Sequence, residues 1–132
     1  MTSQDYDNFM AALCIFREAR GSSITAMNAI WHVLNNRAND KQNRWPKFIA
    51  DVITQPNQFS SFNHDDPNAL KFPNRLHPAD WNAFLNVMTV VGNELGADPT
   101  GGATNYYSGD NPPYWAKSMT LTLELGPFKF YK

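Results

Sequence analysis

The sequence has a single cysteine and no cluster of basic residues. Cys14 has no partner for an internal disulfide, and its place in an apolar run predicts a small buried hydrophobe. The chain has eleven Lys and Arg residues and twelve Asp and Glu residues, so its net charge is −1. Nucleic acid is therefore not predicted as a partner, since phosphate binding uses clustered Lys and Arg. No apolar run approaches the ~20 residues that a membrane span requires, so membrane insertion is not predicted.

The sequence also lacks the common signatures of metal, cofactor and serine-nucleophile chemistry. The three histidines, His32, His64 and His77, have no short paired spacing, and no His-Glu-x-x-His occurs. A zinc amidase or peptidase is therefore not predicted, and no metal or cofactor is expected. No Gly-x-Ser-x-Gly and no phosphate-binding glycine loop are present.

The 132 residues suit one domain, residues 1–132, with α+β architecture. Apolar spacing predicts a mainly helical body followed by a small C-terminal antiparallel sheet. Ser3 or Asp5 is predicted to cap the first helix, which ends near Gly21, and Ser22 or Ser23 to cap the second, which ends near Leu34. A short third helix is predicted from Trp45 to Thr54. A long fourth helix is predicted from His77 to Gly96, with Pro78 in its first turn. The predicted strands are 103–107 and a hairpin within 119–132. The expected inward faces are Phe9, Ala12, Leu13 and Phe16 in the first helix, and Trp81, Phe84, Leu85, Met88 and Val91 in the last.

One carboxylate stands out at the end of the first helix. Residues Met10 to Phe16 carry no polar side chain, and Glu18 follows in the last helical turn. Arg17 and Arg20 lie at i−1 and i+2, positions that do not face Glu18 on a helix. Partial burial and the helix dipole would both raise the pKa of this carboxyl group, as a proton donor near neutral pH requires. The alternative is an exposed Glu18 paired with an arginine elsewhere.

Four blocks, in order along the chain, resemble the SleB-type cell wall hydrolases, the spore cortex-lytic family. The first is "ALCIFREARGSS" with "AIWHVLNNR", the second "DVITQPNQFSSFN", the third "DPTGGATNYY" and the fourth "PYWA" with "LGPFKFY". The resemblance implies a lysozyme-like fold and cleavage of the bond between N-acetylmuramic acid and N-acetylglucosamine in peptidoglycan glycan strands. It also implies that Glu18 is the catalytic acid. Three positions depart from the family pattern: Arg17 replaces a glycine, Ser22 a glutamate and Phe128 a histidine.

Further candidates for substrate binding lie in the matching blocks. Gln58 and Ser60 offer an amide and a hydroxyl that suit sugar hydroxyl groups. The period of two in a strand places Thr104 and Tyr106 on one face, which we expect to line the cleft. Trp115 is a candidate floor for a sugar subsite, or else a packing residue.

Glycoside hydrolysis usually needs a second carboxylate, and the candidates are Asp65, Asp66 and Asp98. Each stands in a turn-forming context, near Pro67 or Pro99, where a structural role is sufficient. A mechanism with Glu18 alone is also coherent, because the muramic 6-hydroxyl can act as the nucleophile and leave a 1,6-anhydro end. The sequence leaves both routes open.

Two classes of function remain: a lytic transglycosylase or muramidase, and a non-catalytic peptidoglycan-binding or structural module with the same fold. The N-terminal "MTSQDYDN" is polar and acidic and does not resemble a secretory signal. Action on the bacterial wall would then require phage lysis, a secretion system or a longer parent chain. A delivery or immunity partner is not identifiable from the sequence.

Overall fold

A computed structural model describes residues 1–132, apart from the side chain of Leu70. Four α-helices are followed by three strands, which confirms the predicted α+β order. The elements are α1 (Ser3–Ala19), α2 (Ile24–Ala38), α3 (Ile49–Thr54), α4 (Pro78–Gly92), β1 (Asn105–Ser108), β2 (Leu121–Leu125) and β3 (Phe128–Tyr131). Short 3₁₀ turns form at Ser60–Phe62, Pro67–Leu70 and Ala116–Ser118.

Helix α1 is the centre of the helical body. Thr2 is its N-cap, in a reciprocal capping box with Asp5, so the predicted caps Ser3 and Asp5 lie one and three residues too late. The other three helices pack against α1, and Met10 to Arg17 are all buried. Phe9, expected to face inward, is 53% exposed. A helix covered on several sides has no single apolar stripe, so periodicity misplaces its inner face.

The shorter helices are held partly by polar contacts. Ser23 caps α2 through the backbone N–H of Ala26, as predicted. Helix α3 has no side-chain cap of its own. Instead, the buried Asp7 of α1 accepts a hydrogen bond from the Ala50 N–H at 3.0 Å. This contact satisfies one free donor at the start of α3 and ties that short helix to α1.

Helix α4 begins at Pro78, the proline predicted for its first turn, and ends at Gly92 instead of near Gly96. Its inner face differs from the predicted stripe, because Leu85 and Met88 are each 46% exposed. Val91 faces the body as predicted, and the smaller side chains of Ala83, Val87 and Val90 join it in place of Leu85 and Met88. Phe84 reaches the core by its ring edge, with its centroid 5.9 Å from that of Phe16.

The sheet has the strand order β1–β3–β2, with all pairs antiparallel. Strands β2 and β3 form the predicted hairpin, and Gly126 adopts φ 55° in its turn, a region that favours glycine. Strand β1 begins at Asn105, two residues after the predicted start, and pairs Tyr106 with Phe130. The sheet thereby brings the middle of β1 next to the C-terminal end of α1. Among the helices described, none is both long and apolar enough to cross a membrane.

Candidate active site

Glu18 lies half-buried in the last turn of α1. The Tyr106 hydroxyl of β1 donates a hydrogen bond to Glu18 Oε1 at 3.2 Å. Two elements far apart in the sequence therefore meet at this carboxylate. Tyr106, the tyrosine expected from the sequence to line the cleft, is thus the one that contacts Glu18.

The Tyr106 side chain is packed among aromatic rings, which fix its direction. The ring centroids of Phe59, Phe128 and Phe130 lie 5.7 to 6.4 Å away. Burial and the neighbouring Glu18 charge raise the pKa of Tyr106 well above its usual value. The phenol therefore remains protonated and donates to Glu18 across the physiological pH range.

The pKa of Glu18 is raised above that of an ordinary glutamate. Burial is the main cause, and the negative charge of Asp66 adds to it. The Tyr106 hydroxyl acts in the opposite direction, because its hydrogen bond stabilises the carboxylate, and the nearby Ser61 hydroxyl acts in the same sense although it makes no hydrogen bond of normal geometry. The balance favours the protonated acid to higher pH than usual, which suits a proton donor.

Ser61 and Asp66 reach this site from the segment between α3 and α4. Ser61 is 1% exposed, and its Oγ makes no hydrogen bond to the residues that the structure describes. Asp66 caps the 3₁₀ turn Pro67–Leu70 by accepting from the Asn68 N–H at 2.8 Å. Sequence reasoning named Asp66 but missed Ser61, which directly follows the candidate Ser60.

The two arginines that flank Glu18 in sequence turn away from it, as the helical spacing predicted. Arg17 is 9% exposed and donates to three backbone carbonyls of residues 61–71. Arg20 lies near Asp80 of α4, with Nε 3.8 Å from Oδ1. Glu18 itself is half-buried and takes part in none of the ion pairs among the described residues, so the alternative of an exposed Glu18 paired with an arginine elsewhere is wrong.

Asp98 organises the loop before β1. Its carboxylate accepts from the Thr100 N–H and Oγ1, the Gly102 N–H and the Asn36 amide, at 2.6 to 2.9 Å. These bonds hold the pKa of Asp98 below its usual value. Gly101 and Gly102 adopt φ 65° and 89°, which explains the glycine pair. These contacts are sufficient to explain Asp98 by loop structure.

A buried arginine that sequence reasoning missed supports the site from α2. Arg37 is 5% exposed and donates to the Thr104 carbonyl at 2.6 Å and to Gln58 Oε1 at 3.3 Å. Its guanidinium lies 5.3 Å from the ring centroids of both Trp45 and Phe59. Its position near the end of an apolar helix, as for Glu18, was the available signal.

The remaining candidates divide between surface and packing positions. Gln58 and Ser60 are exposed, with Gln58 attached to Arg37. Thr104 is buried, and its hydroxyl donates to Asn105 Oδ1. Trp115 packs edge-on against the rings of Tyr107 and Tyr131, at 6.1 and 5.5 Å. Asp65 is exposed.

The described residues hold no group of three or more His, Cys, Asp or Glu side chains that could bind a metal ion. The chemistry offered by the site is therefore that of one carboxyl group with a raised pKa, a phenol, a buried hydroxyl and a second carboxylate.

Two solved structures share the fold of this chain. The structure is similar to the catalytic domain of the germination-specific lytic transglycosylase SleB from Bacillus anthracis, with a TM-score of 0.70 and 24% identity over 100% of this chain and 97% of that one. It is also similar to the catalytic domain of the Bacillus cereus SleB protein, with a TM-score of 0.70 and 24% identity over 96% of this chain and 89% of that one. At this identity the likeness establishes the SleB-type, lysozyme-like fold. No curated protein sequence matches the chain significantly.

A family model described as Cell Wall Hydrolase matches residues 21–131. The match begins three residues after Glu18 and includes Ser61, Asp66 and Tyr106, the residues whose side chains act on the pKa of that carboxyl group. It extends over most of the 132 residues. The chain therefore belongs to the cell wall hydrolase family.

Proposed function

We propose that this protein is a peptidoglycan glycosidase that cleaves the bond between N-acetylmuramic acid and N-acetylglucosamine, with Glu18 as the general acid. One observation carries the proposal: Glu18 is the half-buried carboxyl group whose pKa is raised by burial and which the Tyr106 hydroxyl orients at 3.2 Å. Membership of the cell wall hydrolase family supports the substrate class. Two SleB catalytic domains of the same fold, one described as a lytic transglycosylase, support the reaction class.

A single carboxyl group is sufficient for this reaction. Protonated Glu18 would donate its proton to the glycosidic oxygen as the bond to the muramic anomeric carbon breaks. The resulting carboxylate would then accept the proton of the muramic 6-hydroxyl as that oxygen attacks the same carbon. The bond broken is replaced by an intramolecular one, Glu18 regains its proton, and no water is consumed.

The competing route is hydrolysis with a second carboxylate. Among the three aspartates considered, Asp66 is the one whose charge acts on Glu18. Asp98 is engaged by three hydrogen bonds within its own loop and by one from Asn36 of α2. A hydrolytic mechanism would therefore depend on Asp66, as a nucleophile or as a base that activates water.

The product distinguishes these two routes. We expect digested peptidoglycan to carry mainly 1,6-anhydromuramic ends, which mass spectrometry identifies by the absence of one added water. Asp66→Asn should retain most activity, because asparagine keeps the oxygen that caps the turn at Asn68 and removes only the charge. Predominantly reducing muramic ends, together with near-total loss of activity in Asp66→Asn, would establish a two-carboxylate hydrolase.

Release of muropeptides from purified peptidoglycan is the test of the proposed function itself. A folded wild-type protein that binds this glycan and releases no fragments would instead be a binding module. Sacculi with different cross-links would identify the wall type that it attacks.

Tyr106→Phe should shift the pH dependence of this activity. The hydroxyl stabilises the Glu18 carboxylate, so its loss should raise the pKa of Glu18 further. Because the protonated acid is the active form, the alkaline limb of the pH–rate profile should move to higher pH. Phenylalanine keeps the ring packed against Phe59 and Phe130.

The matched control is Tyr114→Phe, which removes a phenol that is 88% exposed. It should leave the profile unchanged. An unchanged or acid-shifted alkaline limb in Tyr106→Phe would contradict the role assigned to this hydrogen bond.

A further inference from the structure

Arg17 makes an unusual set of contacts for an arginine beside a catalytic glutamate. Its Nε donates to the Lys71 carbonyl at 3.0 Å, Nη1 to the Ser61 carbonyl at 3.2 Å and Nη2 to the Ala69 carbonyl at 3.0 Å. None of the carboxylates described forms an ion pair with it. The whole donor fork is therefore directed to the backbone of one segment.

Two aromatic rings cover this guanidinium. Its carbon lies 4.7 Å from the ring centroid of Phe62 and 4.9 Å from that of Phe72. The rings flank both ends of the segment that Arg17 binds, and cation–π attraction adds to the hydrogen bonds. A planar group with donors in three directions fits this position, whereas a lysine ammonium on a flexible stem does not.

The segment that Arg17 binds carries Ser61 and Asp66, which act on the pKa of Glu18 together with Tyr106 of the sheet. The carbonyl of Ser61 is one of the three acceptors, and those of Ala69 and Lys71 lie within and directly after the turn that Asp66 caps. Ser61 and Asp66 are thus attached to α1 one residue before Glu18.

We propose that Arg17 is a positioning residue that holds residues 60–71 against the end of α1, so that Ser61 and Asp66 flank Glu18 and the segment shields its carboxyl group from water. The importance of this shielding for catalysis rests on the proposed function. The attachment of residues 60–71 to α1 by Arg17 is independent of that function.

Release of residues 60–71 from Arg17 should lower the pKa of Glu18. Burial is the main reason that the pKa of Glu18 is raised. Release of the segment would admit water and move the pKa back toward the ordinary value. The alkaline limb of the pH–rate profile would then move to lower pH, opposite to the effect of Tyr106→Phe.

The test compares Arg17→Lys with the matched variant Arg20→Lys, which keeps the same charge on the same helix and does not touch this segment. Native-state hydrogen exchange follows the amides of Phe62 and Lys71, which are hydrogen-bonded within the two 3₁₀ turns. Carbon NMR of the Glu18 carboxyl group gives its titration midpoint without any substrate. Thermal denaturation reports global stability.

In Arg17→Lys we expect about tenfold faster exchange of these amides and a lower Glu18 midpoint. Arg20→Lys should match the wild type in both measurements. Arg17→Lys with wild-type exchange and a wild-type midpoint would overturn the proposal, as would a loss of thermal stability with the midpoint unchanged, since that indicates a purely structural role.

If Arg17→Lys does not fold, Phe72→Ala decides the question. Phe72 is 57% exposed, so its removal spares the core and takes away one ring over the guanidinium. Exchange at Phe62 and Lys71 should then accelerate about threefold. Wild-type exchange would overturn the proposal. A wild-type protein that releases no muropeptides would refute the glycosidase function, while the exchange and NMR results would still decide the role of Arg17.

Discussion

Glu18→Gln should abolish the release of muropeptides from peptidoglycan, with a loss of at least ~10²-fold and up to ~10⁴-fold. Glutamine keeps the shape of the side chain and can still accept the Tyr106 hydrogen bond, but it cannot donate a proton to the leaving oxygen. The measurement is mass spectrometry of soluble fragments from purified sacculi, normalised to folded protein by circular dichroism. Retention of more than about a tenth of the activity would contradict the assignment of Glu18 as the general acid.

The same variant should be more stable than the wild type at neutral pH. The pKa of Glu18 is higher in the folded protein than in an unfolded chain, so ionisation opposes folding as the pH rises through this range. Glutamine removes that cost. The difference in melting temperature should therefore be present at pH 7 and vanish below about pH 4, where the glutamate is protonated in both states. Glu94→Gln, at an exposed position, is the matched control and should change neither activity nor stability.

Arg37→Met should produce the largest loss of stability among the polar substitutions. Removal of the guanidinium leaves the buried Thr104 carbonyl without its 2.6 Å donor and frees Gln58. Hydrogen bonds from a charged group contribute about 1.5–3 kcal/mol each, offset in part by the cost of burying the charge. We expect a net loss of about 2 kcal/mol, which corresponds to a fall in Tm of roughly 5–10 °C.

Activity should also fall in Arg37→Met, because Arg37 contacts the aromatic cluster that holds Tyr106 against Glu18. Its guanidinium lies over Phe59, and the Phe59 ring packs against Tyr106. Arg44→Met is the matched control, since Arg44 also lies over Trp45 but is exposed and paired with Asp40. It should have a much smaller effect on both stability and activity. Equal melting temperatures for the two variants would show that the buried contacts of Arg37 contribute nothing net.

Local patterns in the sequence were sufficient for the order and type of the elements. Pro78 at the start of α4, Ser23 before α2 and the glycine turn of the hairpin are signals that act within a few residues. The inner faces of α1 and α4 could not be predicted in the same way. Phe9, Leu85 and Met88 remain exposed because the face that a helix buries depends on which neighbours cover it.

The candidate site shows the same division. The sequence names both Glu18 and Tyr106 as candidates, and the structure brings their side chains within hydrogen-bond distance. Ser61 was missed in favour of Ser60 because a one-residue change in a 3₁₀ turn reverses which side chain is buried. Arg37 was missed because its position near the end of an apolar helix does not reveal that a carbonyl 67 residues away will need a donor.

Sequence patterns are sufficient to predict an α+β fold with a carboxyl group at the end of an apolar helix. The sequence motifs also follow the order found in the SleB-type cell wall hydrolases. Tertiary structure alone decided what surrounds that carboxyl group. The pKa of Glu18 depends on burial, on the Tyr106 hydroxyl and on the charge of Asp66, and each of these reaches it from a different segment. The direction of Arg17 was decided in the same way, by the carbonyls and rings that the fold places beside it. The spacing of residues along a helix shows which neighbours a side chain cannot contact. The partners that the side chain does contact lie on chain segments that meet only when the core packs.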